Sequence, residues 1–221
     1  MTTYKERTLL PKESQKIDKN YEKLQELSCK IGNEKTREAV QKLLNDIKQR
    51  FAYAPSSTKI EFAGAYPGGL VQTSMLVLRS LIQMNDALQA NIPLDDMIIT
   101  GIFFNIGKIG TEDKEYYLPQ ESEWHRVNLG QMYKINTEIS EAISPNVRSL
   151  WWLNNADIPL TEDMIYSINS LSILTGNQVS NNSDVYKAPT LAILLQTAYR
   201  LVCSQSVDKK RSIVDCYVFL Y

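Results

Sequence analysis

Apolar residues recur at three- and four-residue spacings over 21–27 and again over 34–51, with Gly32 and Asn33 between them as a stop signal. The pattern predicts two amphipathic helices behind a polar leader at 1–17. The stretches AYAPSST and AGAYPGG then interrupt the period with Pro55, Pro67, Gly68 and Gly69, which predicts a connecting loop. Over 70–88 apolar positions run round most of the helical circumference, the mark of a helix packed on several sides. Pro93 followed by Asp95 and Asp96 starts another helix, because proline and acids suit a first turn. That helix runs into GIFFNIGKIG, where the apolar run stops at Asn105 and glycines punctuate a turn. Further helices are predicted at 122–133, 145–154, 161–175 and 189–204, with a polar loop, GNQVSNNSDVYKAP, before the last. The closing SIVDCYVFLY fits a strand, a docked apolar tail or an exposed interaction segment. The expected fold class is all-α, with no internal repeat.

Composition narrows this picture without changing it. The 221 residues are 43% hydrophobic and 22% charged, within the range of one domain with extensions, and no apolar run reaches the roughly 18–20 residues of a membrane span. The N-terminal stretch lacks the apolar segment of a secretory signal, so a cytoplasmic location and no membrane partner are expected. Net charge is −1 but unevenly spread, at +5 over 1–60, −7 over 61–205 and +1 over 206–221. The basic N-terminal part alternates its lysines with acids, as a solvated, salt-bridged helical face does, so nucleic acid is not an expected partner. Cys29, Cys203 and Cys216 are widely spaced and form no C-x-x-C pair, which suggests reduced thiols. The chain has one histidine, His125, which excludes within one chain any metal site needing two imidazoles. A carboxylate-only magnesium site would have to draw on Asp95, Asp96, Glu112, Asp113, Glu121 or Glu123, whose spacing favours solvated faces. No P-loop, Rossmann glycine pattern or G-x-S-x-G elbow occurs.

The order AYPGGLVQTSMLVLRSL, IFFNIGKIG, YYLPQESEWHRVNLGQMY and LAILLQTAYRL resembles the HD-domain family of metal-dependent phosphohydrolases, most closely the versions that bacteriophages encode. The resemblance covers residues 50–204. It implies an HD-domain-like helical bundle that holds divalent metal between helices through histidines and aspartates and hydrolyses phosphate esters. The organisation it implies is an N-terminal leader with helices packing on the core (1–50), an HD-like domain (51–205) and a C-terminal tail (206–221).

Residue by residue, the metal ligands are missing. Ala63 or Gly64 stands where the first histidine of the pattern falls, and Thr73 where the histidine after the glycine pair falls. Phe104 and Asn105 occupy the His-Asp doublet, and Tyr199 the late aspartate. Only His125, in EWHR, keeps its residue type. The resemblance therefore implies a pseudoenzyme, with no catalytic residue, metal or cofactor, acting on a protein partner as a binding, regulatory or structural subunit in a host cytoplasm or a virion. Two alternatives stay open. One is a non-hydrolytic binder of a nucleotide or other phosphorylated ligand at Lys108, His125 and Arg126, whose cations suit phosphate oxygens. The other is a residual metal-dependent phosphohydrolase. Trp151 and Trp152 are candidates for partner binding, because adjacent helical residues point about 100° apart and both cannot face one core.

Overall fold

The structure is a computed structural model, and it describes residues 11–171 and 187–207. Among them are nine α-helices and one two-stranded hairpin, so the chain is predominantly helical as its periodicity predicts. No described helix is long and apolar enough to cross a membrane. The tail from 208 onward, Cys216 and most of the polar loop at 176–189 lie outside the described residues.

Helix α4 (Gly69–Leu88) is the axis of the core. It packs against α1 (Pro11–Ser28), α3 (Lys48–Tyr53), α5 (Leu94–Phe103) and α9 (Thr190–Val207), which explains its apolar residues on several faces. Leu70, Leu78 and Leu81 are fully buried there. Helix α2 (Glu34–Asp46) is N-capped by Asn33, whose side chain accepts from Thr36 N at 3.0 Å. On the other side, α7 (Pro145–Asn155) and α8 (Glu162–Ser170) complete the bundle.

Three elements differ from the sequence expectation. Helix α1 begins at Pro11, inside the expected leader, because Ile17, Tyr21 and Leu24 form one buried stripe. The helix expected over 34–51 breaks at Ile47 into α2 and α3, which turns Arg50 and Phe51 toward the core. The helix expected over 122–133 stops early: α6 covers only Glu123–Asn128, and the chain then forms strand β2 (Tyr133–Ile135) antiparallel to β1 (Tyr117–Pro119). Thr58 O draws that segment out of helix by accepting from Met132 N at 2.8 Å and Tyr133 N at 3.1 Å. Gly130, at φ +58°, makes the bend between them.

Two arginines hold loops by their backbones. The Arg50 guanidinium donates to Ile109 O at 2.8 Å, Glu112 O at 2.9 Å and Lys114 O at 2.7 Å, and also to Thr111 O. Buried Arg148 donates to Ser140 O at 3.3 Å and Ile143 O at 3.1 Å, with its guanidinium 5.4 Å from the Tyr116 ring centroid.

The turn after α5 is a 3-10 helix, Ile106–Ile109, pressed against the start of α7. A Cβ on Gly107 would lie 2.0 Å from Pro145 O and 2.8 Å from Ser149 N, so only glycine fits. Gly107→Ala is expected to destabilise the protein by about 3 kcal/mol, the upper range for forced overpacking. Urea unfolding measures this, and a midpoint like that of the unmodified chain would contradict the close approach.

Candidate functional site

The loop before α4 folds back on the helix start. Ser56 N donates to Gly64 O at 2.8 Å and Ser57 Oγ to Ala63 O at 2.8 Å. This lays Gly64, at φ +74°, directly on Gly69, where an added Cβ would be 2.2 Å from Gly64 O. Thr73 lies one turn further along α4, buried, with its hydroxyl donating to Gly69 O at 2.7 Å. Ala63, Gly64 and Thr73 therefore meet at one corner. At the start of α4, Gly68 N donates to Tyr53 O, Gly69 N to Tyr66 O and Leu70 N to Ala54 O, which takes up N–H groups that a helix start otherwise leaves free.

Phe104 and Asn105 close α5, both buried. The Phe104 ring meets Tyr199 of α9 edge to face, with centroids 5.5 Å apart. Ser149 of α7 ties the turn down from below, donating to Phe104 O at 3.1 Å and accepting from Gly107 N at 2.9 Å. The Asn105 amide lies beside the Tyr199 hydroxyl, yet its buried Nδ2 has no hydrogen-bond acceptor. Burial raises the Tyr199 phenol above its ordinary value, so it stays neutral. Cys203, four residues on along α9, shares that face, and burial raises its thiol as well.

Lys108 completes the cluster. Its ammonium turns inward and donates to Ser56 O at 2.8 Å, and burial pushes its pKa down from 10.5 to about 8. Cys203 is the ionisable group that faces it electrostatically. The cluster thus presents one ammonium, one amide N–H2, one phenol and one thiol, which suits an acceptor oxygen better than a cation.

A divalent ion does not fit these side chains. Phe104 has no donor atom, the Thr73 hydroxyl is directed at its own helix, and the Lys108 ammonium would repel the ion. Among the described residues no group of three or more His, Cys, Asp or Glu comes close enough to hold a metal. The carboxylates considered from sequence lie on separate elements. Asp95 accepts from Gly32 N at 2.8 Å and Asn33 N at 3.2 Å, tying α5 to the α1–α2 turn. Burial and its neighbours Asp95 and Asp163 raise Asp96 above the ordinary carboxylate value. Glu112, Asp113 and Glu123 are exposed, and Glu121 pairs with Lys134 at 3.6 Å.

The expected anion-binding trio is divided. His125 Nδ1 is 2.8 Å from Ser122 Oγ, and Arg126 donates to Gln120 O at 3.0 Å, so both act within α6 and its hairpin. No contact joins either to Lys108 among the described residues. The tryptophan pair divides as its spacing predicts. Trp152 is 8% exposed and donates from Nε1 to Gly110 O at 2.9 Å, while Trp151 is 41% exposed and meets the Trp152 ring at 5.0 Å.

Ser56, Ser149 and Cys203 belong to the cluster although sequence reasoning did not place them there. Ser56 acts through its carbonyl, which has no side-chain signature. Cys203 could have been found from its spacing, four residues after Tyr199 on one helical face. Comparison of the chain with protein families, with curated proteins and with solved structures finds no match.

Lys108 generates a pH prediction. Below pH 8 its amine is charged in folded and unfolded chains alike, and the folded state carries the desolvation penalty. Between about pH 8 and the ordinary lysine value of 10.5 the folded chain releases the proton first, so this group adds stability as pH rises. The advantage of Lys108→Met over the unmodified chain should be largest below pH 8 and shrink through that window in urea unfolding. A difference independent of pH would refute the buried ammonium.

Proposed function

We propose that this chain is an HD-type helical domain, of the kind bacteriophages encode, that has exchanged its metal site for side-chain packing and works as a protein-binding or regulatory subunit. The observation that carries the reading is the edge-to-face contact at 5.5 Å between the fully buried Phe104 and the half-buried Tyr199, at two positions where the resemblance puts metal-binding side chains. A fully buried aromatic side chain contributes roughly 1.5–3 kcal/mol by leaving water, so such an exchange stabilises the fold as it closes the site.

Surface composition supports a binding role. Helix α6 buries none of its residues: Trp124 is 59% exposed and Val127 73%. Exposed Ile60 lies just beyond the end of α6, its backbone N donating to Gly130 O at 2.9 Å and its side chain against Gly130. Exposed large apolar side chains that form one patch mark interaction sites.

A second reading is a binder of a phosphorylated small molecule, without cleavage. Buried Asn105 Nδ2, which has no acceptor, and the inward Lys108 ammonium favour it.

Metal analysis of protein purified without chelator and then soaked in manganese, with phosphate release from a nucleotide panel read on the same samples, tests the first reading. The expected result is no stoichiometric metal and no hydrolysis. About one ion per chain with phosphate release would overturn it. Thermal stabilisation by a nucleotide or inorganic phosphate, worth about 2.7 kcal/mol at 100 times the dissociation constant and lost in Lys108→Met, would favour the second reading.

A further inference from the structure

Helix α6 is six residues long and buries none of them. A helix is stable alone in water only beyond about 12–15 residues, and inside a protein it draws most of its stability from packing an apolar face. Such a face exists here, since Trp124 and Val127 stand three residues apart on one side of the helix. The ties that fix α6 to the chain are polar: Ser122 caps it, and Arg126 donates to Gln120 O at 3.0 Å. Its apolar side is left open to solvent.

More apolar surface adjoins it. The chain leaves α6 through exposed Leu129 and reaches Gly130, against which the Ile60 side chain lies, and Phe62 follows Ile60 in the same turn, also exposed. Counting about 150–250 Å² for each whole aromatic side chain, these five residues leave on the order of 450 Å² of apolar surface open. A standard interface takes about 800 Å² per partner, about 56–65% of it non-polar, which is the same amount. The charges around the patch cancel. Lys59, Arg126 and Lys134 are matched by Glu61, Glu121 and Glu123, and two pairs close within the chain, Lys59 with Glu61 and Lys134 with Glu121, each at 3.6 Å. A surface without net charge does not attract a polyanion or an acidic lipid headgroup, and it does not repel its own copy.

We propose that this surface is the contact of a homodimer, in which a second copy of the chain lays its own α6 and 60–62 turn against it about a two-fold axis. In such an isologous contact one patch supplies both halves of the interface. The inference rests on the reading of the chain as a binding subunit and names its partner. A metal-free monomer would overturn the partner alone, and a dimer that holds metal and releases phosphate would overturn that reading alone.

The test is sedimentation velocity on the full chain from about 1 to 100 μM, because interfaces of this size have micromolar or tighter dissociation constants. The expected result is a concentration-dependent shift from the 25.2 kDa monomer to a species of twice that mass. Trp124→Ala should weaken association about thirtyfold, as loss of a hot-spot aromatic does, and Val127→Glu should abolish it by setting a carboxylate against its own copy. Leu88→Ala, at an exposed apolar residue that ends α4, should leave association unchanged. Trp124 and Val127 are exposed in the single chain, so the circular dichroism of each variant at low concentration should match that of the unmodified chain. A chain that stays monomeric throughout this range would overturn the proposal. A dimer that survives both α6 substitutions would do the same, since its contact would lie elsewhere.

Discussion

The 3-10 turn and α7 approach until their backbones touch, and much of the candidate site follows from that contact. A Cβ at Gly107 has no room against Pro145 O, and the Ser149 hydroxyl bridges the two elements from Phe104 O to Gly107 N. With the turn pinned there, Asn105 is directed at α9 and Lys108 at Ser56. The far end of the turn is fixed as firmly, since Trp152 holds Gly110 O and Arg50 holds Ile109 O. None of these restraints depends on the side chains at 104 and 105. The backbone of the turn therefore has supports that do not come from those two side chains.

The parts of the fold legible in the sequence are those with strong periodicity. Helix α4 could be read from apolar residues all round its circumference, and it occupies the centre of the core. The start of α5 could be read from Pro93 and its two acids. The β1–β2 hairpin could not, because the interaction that competes with helix there comes from Thr58, 74 residues before Met132 in sequence. The break at Ile47 has no glycine or proline to announce it. In the site, the resemblance alone grouped Phe104, Asn105 and Tyr199, and the structure brings these three together. The partner of Lys108 is a carbonyl, and any residue type supplies one.

Charge gives the cluster its present character. Within the proposed reading, a place built for bound cations now holds a fixed ammonium whose pKa burial lowers and which among the described residues has no carboxylate partner. Carboxylates lie at other places: Asp95 staples the α1–α2 turn, and Asp46, Glu112 and Asp157 are exposed.

The central place of α4 also bears on how the chain reaches its fold. Its neighbours include α1, near the start of the described chain, and α9, near its end. The helix cannot cover its apolar faces from local contacts, and its last face stays open until α9 has been synthesised and has returned across more than one hundred intervening residues. Folding on the ribosome thus leaves a sticky intermediate whose lifetime is set by translation of the C-terminal third, a stage at which chaperones have an exposed helix to hold.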